Sequence, residues 1–140
     1  MRILTNLPKI ENIAKAFDIK NGICVEVGEL LVFSGFAGLD LETGAVSKGD
    51  IVKHANDSLD CYEYILKSIG LSLDNVVKVN AFLKDPVADF PGWNETFKSR
   101  FNAPHPCRTT VGAPLVAGLI ELEIQACRTP RQAMQPIPTV

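Results

Sequence analysis

Only two histidines, His54 and His105, and four scattered cysteines, Cys24, Cys61, Cys107 and Cys127, occur in the 140 residues. None of the cysteines forms a Cys-x-x-Cys pair, and the histidines lie far apart, so neither a zinc-binding spacing nor a secreted disulfide framework is present. The expectation is four small buried thiols, no metal and no cofactor. Basic residues form no block, and the formal net charge is −2, which excludes the electrostatic footprint of a nucleic-acid surface. No apolar run is long enough for a signal peptide or a membrane span, and a cytoplasmic location is expected. Any catalysis is left to arginine, carboxylates, backbone groups and water.

What is present is ordinary in bulk: 46% hydrophobic and 21% charged residues, enough for one domain with one core. Residues 1–22 mix short apolar pairs with Asn, Pro and Lys, and read as an irregular N-terminal arm. From Ile23 onward two β-rich runs meet at Gly28, where a tight turn needs positive φ. The second run, Leu30 to Ser34, is nearly all apolar and reads as buried on both faces. Asp50 is a good N-cap for a helix over 51–69, with Val52, Ala55, Leu59, Tyr62, Leu66 and Ile69 on one stripe and Gly70 closing it. A strand over 76–83 follows, with Val77, Val79, Ala81 and Leu83 sharing a face. A second helix starts near Asp89, with Pro91 in its first turn and a stripe of Phe90, Trp93, Phe97 and Phe101. Two more strands, over 107–113 and 119–127, precede a proline-containing extended tail over 129–140. The order β-β-α-β-α-β-β predicts one α+β domain over 1–140, a single mixed sheet with two helices packed on one face. With no further helix to cover it, the other face calls for a second subunit.

The stretch PHPCRTTVGAPLVAGLIELEIQACR, residues 104–128, sets Arg108 at the head of one strand and two carboxylates along the next. Alternation places Ile120, Leu122 and Ile124 on one face and Glu121 and Glu123 on the other. The same alternation turns Cys107 away from the face of Arg108, which argues against a thiol nucleophile there.

Three blocks together, VEVGELLVFSGFAGLDLETG, LDNVVKVNAFLKDPVADFPGWNETF and PCRTTVG…LIELEIQA, resemble the Rid (reactive intermediate deaminase) family, also called YjgF or endoribonuclease L-PSP. The resemblance runs from about Val25 to Arg128. It implies a chorismate-mutase-like fold and a homotrimer with clefts between subunits. It also implies cofactor-free hydrolysis of 2-imino or enamine acids to 2-keto acids and ammonia. Carried over by position, Arg108 grips the substrate carboxylate, and Glu123 positions or activates water. Gly35, Asn94 and the backbone N–H of Thr110 complete the substrate contacts. Glu121 is the fallback for Glu123 if the register is off by two. Two departures stand out. The stretch KNGICV lacks the aromatic that many members carry before the first strand, and the segment between Asn94 and Arg108 is short.

These residue types suffice for the reaction. A guanidinium fixes a carboxylate through two parallel hydrogen bonds, and a carboxylate in a cleft can hold a water and take its proton. The substrate expected is a small imino or enamino acid, with a dedicated pathway intermediate such as 2-aminomuconate as a narrower form. A non-catalytic ligand-binding regulatory trimer is the alternative, since a fold does not guarantee activity. A ribonuclease is disfavoured by the acidic chain and the lack of a basic stripe.

Overall fold

The structure, a computed structural model, describes all 140 residues. Seven strands and three helices follow in chain order: β1 (Arg2–Leu4), α1 (Pro8–Phe17), β2 (Cys24–Val27), β3 (Leu30–Phe33), β4 (Phe36–Ala37), α2 (Ile51–Ser68), β5 (Val76–Leu83), α3 (Pro86–Arg100), β6 (Cys107–Gly112) and β7 (Ile120–Cys127). The sheet runs β1-β2-β3-β7-β5-β6, with the short β4 also on β7. All its pairings are antiparallel except β5 with β6. The last two strands are therefore not neighbours: both flank β5, and β6 forms a sheet edge. One mixed sheet with its long helices on one face is the expected α+β arrangement.

Local signals account for most boundaries. Asp50 caps α2 by accepting from the Lys53 N–H at 3.0 Å, and Gly70, at φ 80°, turns the chain out of it. Gly28, at φ 61°, makes the β2–β3 turn. The core face of β7 buries Ile120, Leu122, Ile124 and Ala126 against Ala55, Leu59, Tyr62 and Leu66 of α2. Tyr62 is wholly buried, yet its hydroxyl donates toward the carbonyls of Ser34 and Leu122 at 2.7 and 2.6 Å, so no polar group is stranded.

Several expectations are corrected. The first 22 residues are not an irregular arm: β1 pairs with β2, and α1 is a third helix. Its apolar residues Ile10, Ile13, Ala14 and Phe17 do follow helical spacing, but no side chain caps its start and it has only ten residues. So short a helix is held by tertiary contact rather than by local propensity. The Lys9 N–H meets the Tyr64 hydroxyl at 3.4 Å, and the Asn12 amide donates to the carbonyls of Leu41 and Glu42 at 3.2 and 3.1 Å. Helix α3 begins at Pro86, three residues before Asp89, because Asp85 caps it through the Ala88 N–H at 3.1 Å. On α2, Val52 is 41% exposed and Ile51 takes its place in the core. A bulge between Val76 and Lys78 puts Val76, not Val77, in the core. The β3 run is buried on one face only, with Leu30 and Val32 41% and 38% exposed. The tail contains a helical turn at Arg131–Ala133, anchored by the buried Arg131.

Candidate active site

Arg108 lies on β6 opposite Val79, which pairs in turn with Ile124 of β7, and both are buried beneath the helices. Cross-strand partners share a face, so Arg108 points to the helix side. There its guanidinium carbon sits 4.4 Å from the Phe97 ring centre, 5.5 Å from Phe90 and 5.9 Å from Trp93. These distances suit cation–π attraction. Asn94, one turn from Phe90 and Phe97 on α3, accepts from its Nη2 at 2.9 Å. Its Nη1 is buried without a hydrogen-bond partner. A guanidinium that is charged, partly desolvated and has a buried nitrogen without a partner is suited to receive an anion. Thr110, two residues on, also faces the helices, and its hydroxyl accepts from the Trp93 indole at 3.1 Å. Thus Arg108, Asn94 and Thr110 form one group around the aromatic stripe of α3, at the sheet edge.

The carboxylates lie elsewhere. Glu123 pairs with Asn80 and Glu121 with Phe82, both on the face away from the helices. Glu123 accepts from the Asn80 amide at 3.0 Å. Glu121 lines a cleft of about 240 Å³ with Asn21, Ser34, Gly35, Phe17 and Val116. A Cβ added at Gly35 would stand 3.3 Å from the Glu121 carboxyl carbon and 3.4 Å from the Leu122 carbonyl, so the glycine permits that close approach. Burial, and after it the charge of Glu123, raises the Glu121 carboxyl above the usual value of 4.5. Burial lowers the Arg108 pKa from its ordinary value.

Of the five residues singled out in the sequence, the fold gathers Arg108, Asn94 and Thr110, and separately places Gly35 on the Glu121 side. Within one chain Arg108 and the carboxylates occupy opposite sheet faces. Three contributors were missed. The aromatic stripe of α3 reads as core, yet it also surrounds Arg108. Asn80 is the polar member opposite Glu123. Phe17 and the rest of α1 wall the cleft, and the helical spacing of Ile10, Ile13, Ala14 and Phe17 was the available signal. Cys107 pairs with Lys78 on the face away from Arg108 and is exposed. Cys24 and Cys61 are buried thiols, pushed up by that burial to about 11 and about 12.

A single mixed sheet with its long helices on one face and a small cleft beside Glu121 define the class as α+β. The chain belongs to the endoribonuclease L-PSP family, whose sequence profile matches residues 20–128. A RutC family protein of Pyrococcus abyssi is 32% identical over 102 residues, 73% of this chain and 80% of the relative. A 2-iminobutanoate/2-iminopropanoate deaminase of Dermatophagoides farinae is 30% identical over 102 residues, 73% of this chain and 79% of that enzyme. Among solved structures, RidA of an Antarctic Psychrobacter is similar with a TM-score of 0.71 at 31% identity, over 76% of this chain and 87% of its own. No helix is long and apolar enough to cross a membrane.

Proposed function

We propose that this protein hydrolyses 2-imino or enamine acids to 2-keto acids and ammonia. The observation that carries the proposal is the half-buried guanidinium of Arg108, whose buried Nη1 has no hydrogen-bond partner, in a chain whose curated relatives include 2-iminobutanoate/2-iminopropanoate deaminases. Arg108, with Asn94 holding it and Thr110 bracing Trp93, grips the substrate carboxylate. The backbone at Gly35 and the carboxylate beside it face the reacting carbon. Water adds to the carbon of the protonated imine while its proton passes to the carboxylate. The carboxyl group returns that proton to the carbinolamine nitrogen, and as the C–N bond breaks the hydroxyl proton passes to the departing ammonia, leaving a keto acid, ammonium and the regenerated carboxylate. Between the two candidate carboxylates the geometry favours Glu121, which lines the cleft with Gly35, whereas Glu123 is engaged by Asn80.

Because the clamp and the carboxylate lie on opposite faces of one sheet, a complete site needs a second copy. The edge strand of one subunit, carrying Arg108, has to meet the open face of the next. This supports a homotrimer with shared clefts, a closed assembly that covers the exposed apolar residues of that face. A dedicated pathway substrate such as 2-aminomuconate is the narrower form of this proposal.

Ammonia release from freshly generated imino acids, paired with calorimetry on keto acids, tests the assignment. Arg108→Ala is expected to abolish keto-acid binding, and Arg108→Lys to restore little of it, since an ammonium lacks the planar fork. Glu121→Gln is expected to lower turnover by roughly 10²–10⁴ with keto-acid binding near normal. Full activity in Glu121→Gln with loss in Glu123→Gln would return the role to Glu123. Full activity in Arg108→Ala would sink the clamp.

A further inference from the structure

Helix α1 lies outside the residues that match the family profile, 20–128, yet it forms one wall of the cleft that holds Gly35 and Glu121. We infer that α1 is a specificity wall that adapts this cleft to 2-imino acids with a bulky apolar side chain, through Ala14 and Phe17. The inference rests on the imine-deaminase reading above and adds the substrate class.

Ile10 and Ile13 are 6% and 3% exposed and pin the helix to the core. The Asn12 amide ties it to the carbonyls of Leu41 and Glu42, and Lys9 pairs with Glu42 at 2.6 Å. Its position is therefore fixed. Ala14 and Phe17 contribute to the cleft lining, joined by Ile19, Val116 and Ala117. The polar side chains of the lining are Asn21, Ser34 and Glu121, and the Ser34 hydroxyl is already spent on the Gly22 carbonyl at 2.5 Å. The volume of about 240 Å³ is just under the roughly 300–1,000 Å³ of ordinary small-molecule sites, and most of it faces carbon. A methyl side chain would leave much of that apolar wall uncovered. A leucine- or phenylalanine-sized chain would cover it and displace water that the wall cannot hydrogen-bond. Each methylene accommodated by such a pocket is worth about 10- to 200-fold in discrimination.

The test uses imines generated in situ by an amino-acid oxidase from leucine and from alanine, with ammonia release measured above the uncatalysed background. The wild-type protein is expected to favour the leucine-derived imine by at least about 10-fold in kcat/KM. Phe17→Ala, which removes part of the wall, and Ala14→Leu, which fills the space before it, should each shrink that ratio by about 10-fold, and Phe17→Leu should restore most of it. Circular dichroism checks that the helices persist. Equal rates on both imines in the wild type, or an unchanged ratio in both variants, overturns the inference. Calorimetry separates this outcome from failure of the deaminase reading. If no imine is hydrolysed, binding of 4-methyl-2-oxopentanoate in preference to pyruvate, lost in Phe17→Ala, still supports the wall. Equal binding, or binding of neither, overturns it.

Discussion

At the scale of single residues, charge and burial set the pH behaviour. Glu121 has a raised pKa because burial, then the neighbouring Glu123, disfavours its ionised form. As a base it must be ionised, so the acid limb of kcat/KM is expected at a pH above the ordinary carboxylate value. Glu123→Gln removes one cause of the shift and should move that limb to lower pH, which a pH–rate profile of the two proteins reads directly. An unmoved limb would show that Glu121 is not the titrating base. Glu26 is the opposite case: hydrogen bonds from Arg128 and then Arg2 hold it near 2, against the usual 4.5. Its folded pKa lies below its unfolded one, so the stability it contributes is complete above about pH 4.5 and is lost as pH falls toward 2. Thermal midpoints measured across that window should fall less steeply in Glu26→Gln than in the wild type.

At the scale of elements, the C-terminal tail is fastened by a polar side chain rather than by a large apolar area. Arg131, only 6% exposed, donates to the carbonyls of Pro104, Leu73, Val76 and Asn102, joining the tail to the turn before β5 and the loop before β6. Removing it would strand several buried acceptors at once, each costing about 1–3 kcal/mol where water cannot reach it. Arg131→Ala is expected to lower stability by about 3 kcal/mol in denaturant titrations. A loss within about 0.5 kcal/mol, the range of an ordinary surface substitution, would show that water replaces the guanidinium. The same loop leads into Arg108, so this staple also steadies the strand that carries the clamp.

For the whole molecule, the helix-free sheet face is the unfinished part. Val27, Leu30, Val32 and Val111 are 50%, 41%, 38% and 44% exposed on it, mixed with Asn80, Glu121, Glu123 and Gln125. An apolar surface rimmed by polar groups on a sheet of this size suits an interface between copies. Light scattering is expected to give about three times 15.2 kDa at micromolar concentration. Val32→Asp, a charge on that face, should yield a folded monomer without deaminase activity, because no single chain unites Arg108 with Glu121. A monomeric wild type, or an active monomeric variant, would sink the shared cleft.

Period and punctuation in the sequence determined much of this protein. The Asp50 cap and Gly70 stop of α2, the Gly28 turn and the alternation of β7 were all legible, because each depends on neighbours a few residues away. Residues whose environment is assembled from distant segments were not. Helix α1 lacks a cap and is secured by Tyr64, Leu41 and Glu42, far along the chain. The Val76 bulge answers to β7, and the burial of Arg131 to two other segments. The choice between Glu121 and Glu123 is the sharpest example. Both carboxylates share a face two residues apart, and alternation cannot rank them. Only the tertiary structure set Asn80 against one and Gly35 with α1 beside the other, because lateral neighbours in a sheet come from strands that are remote in sequence.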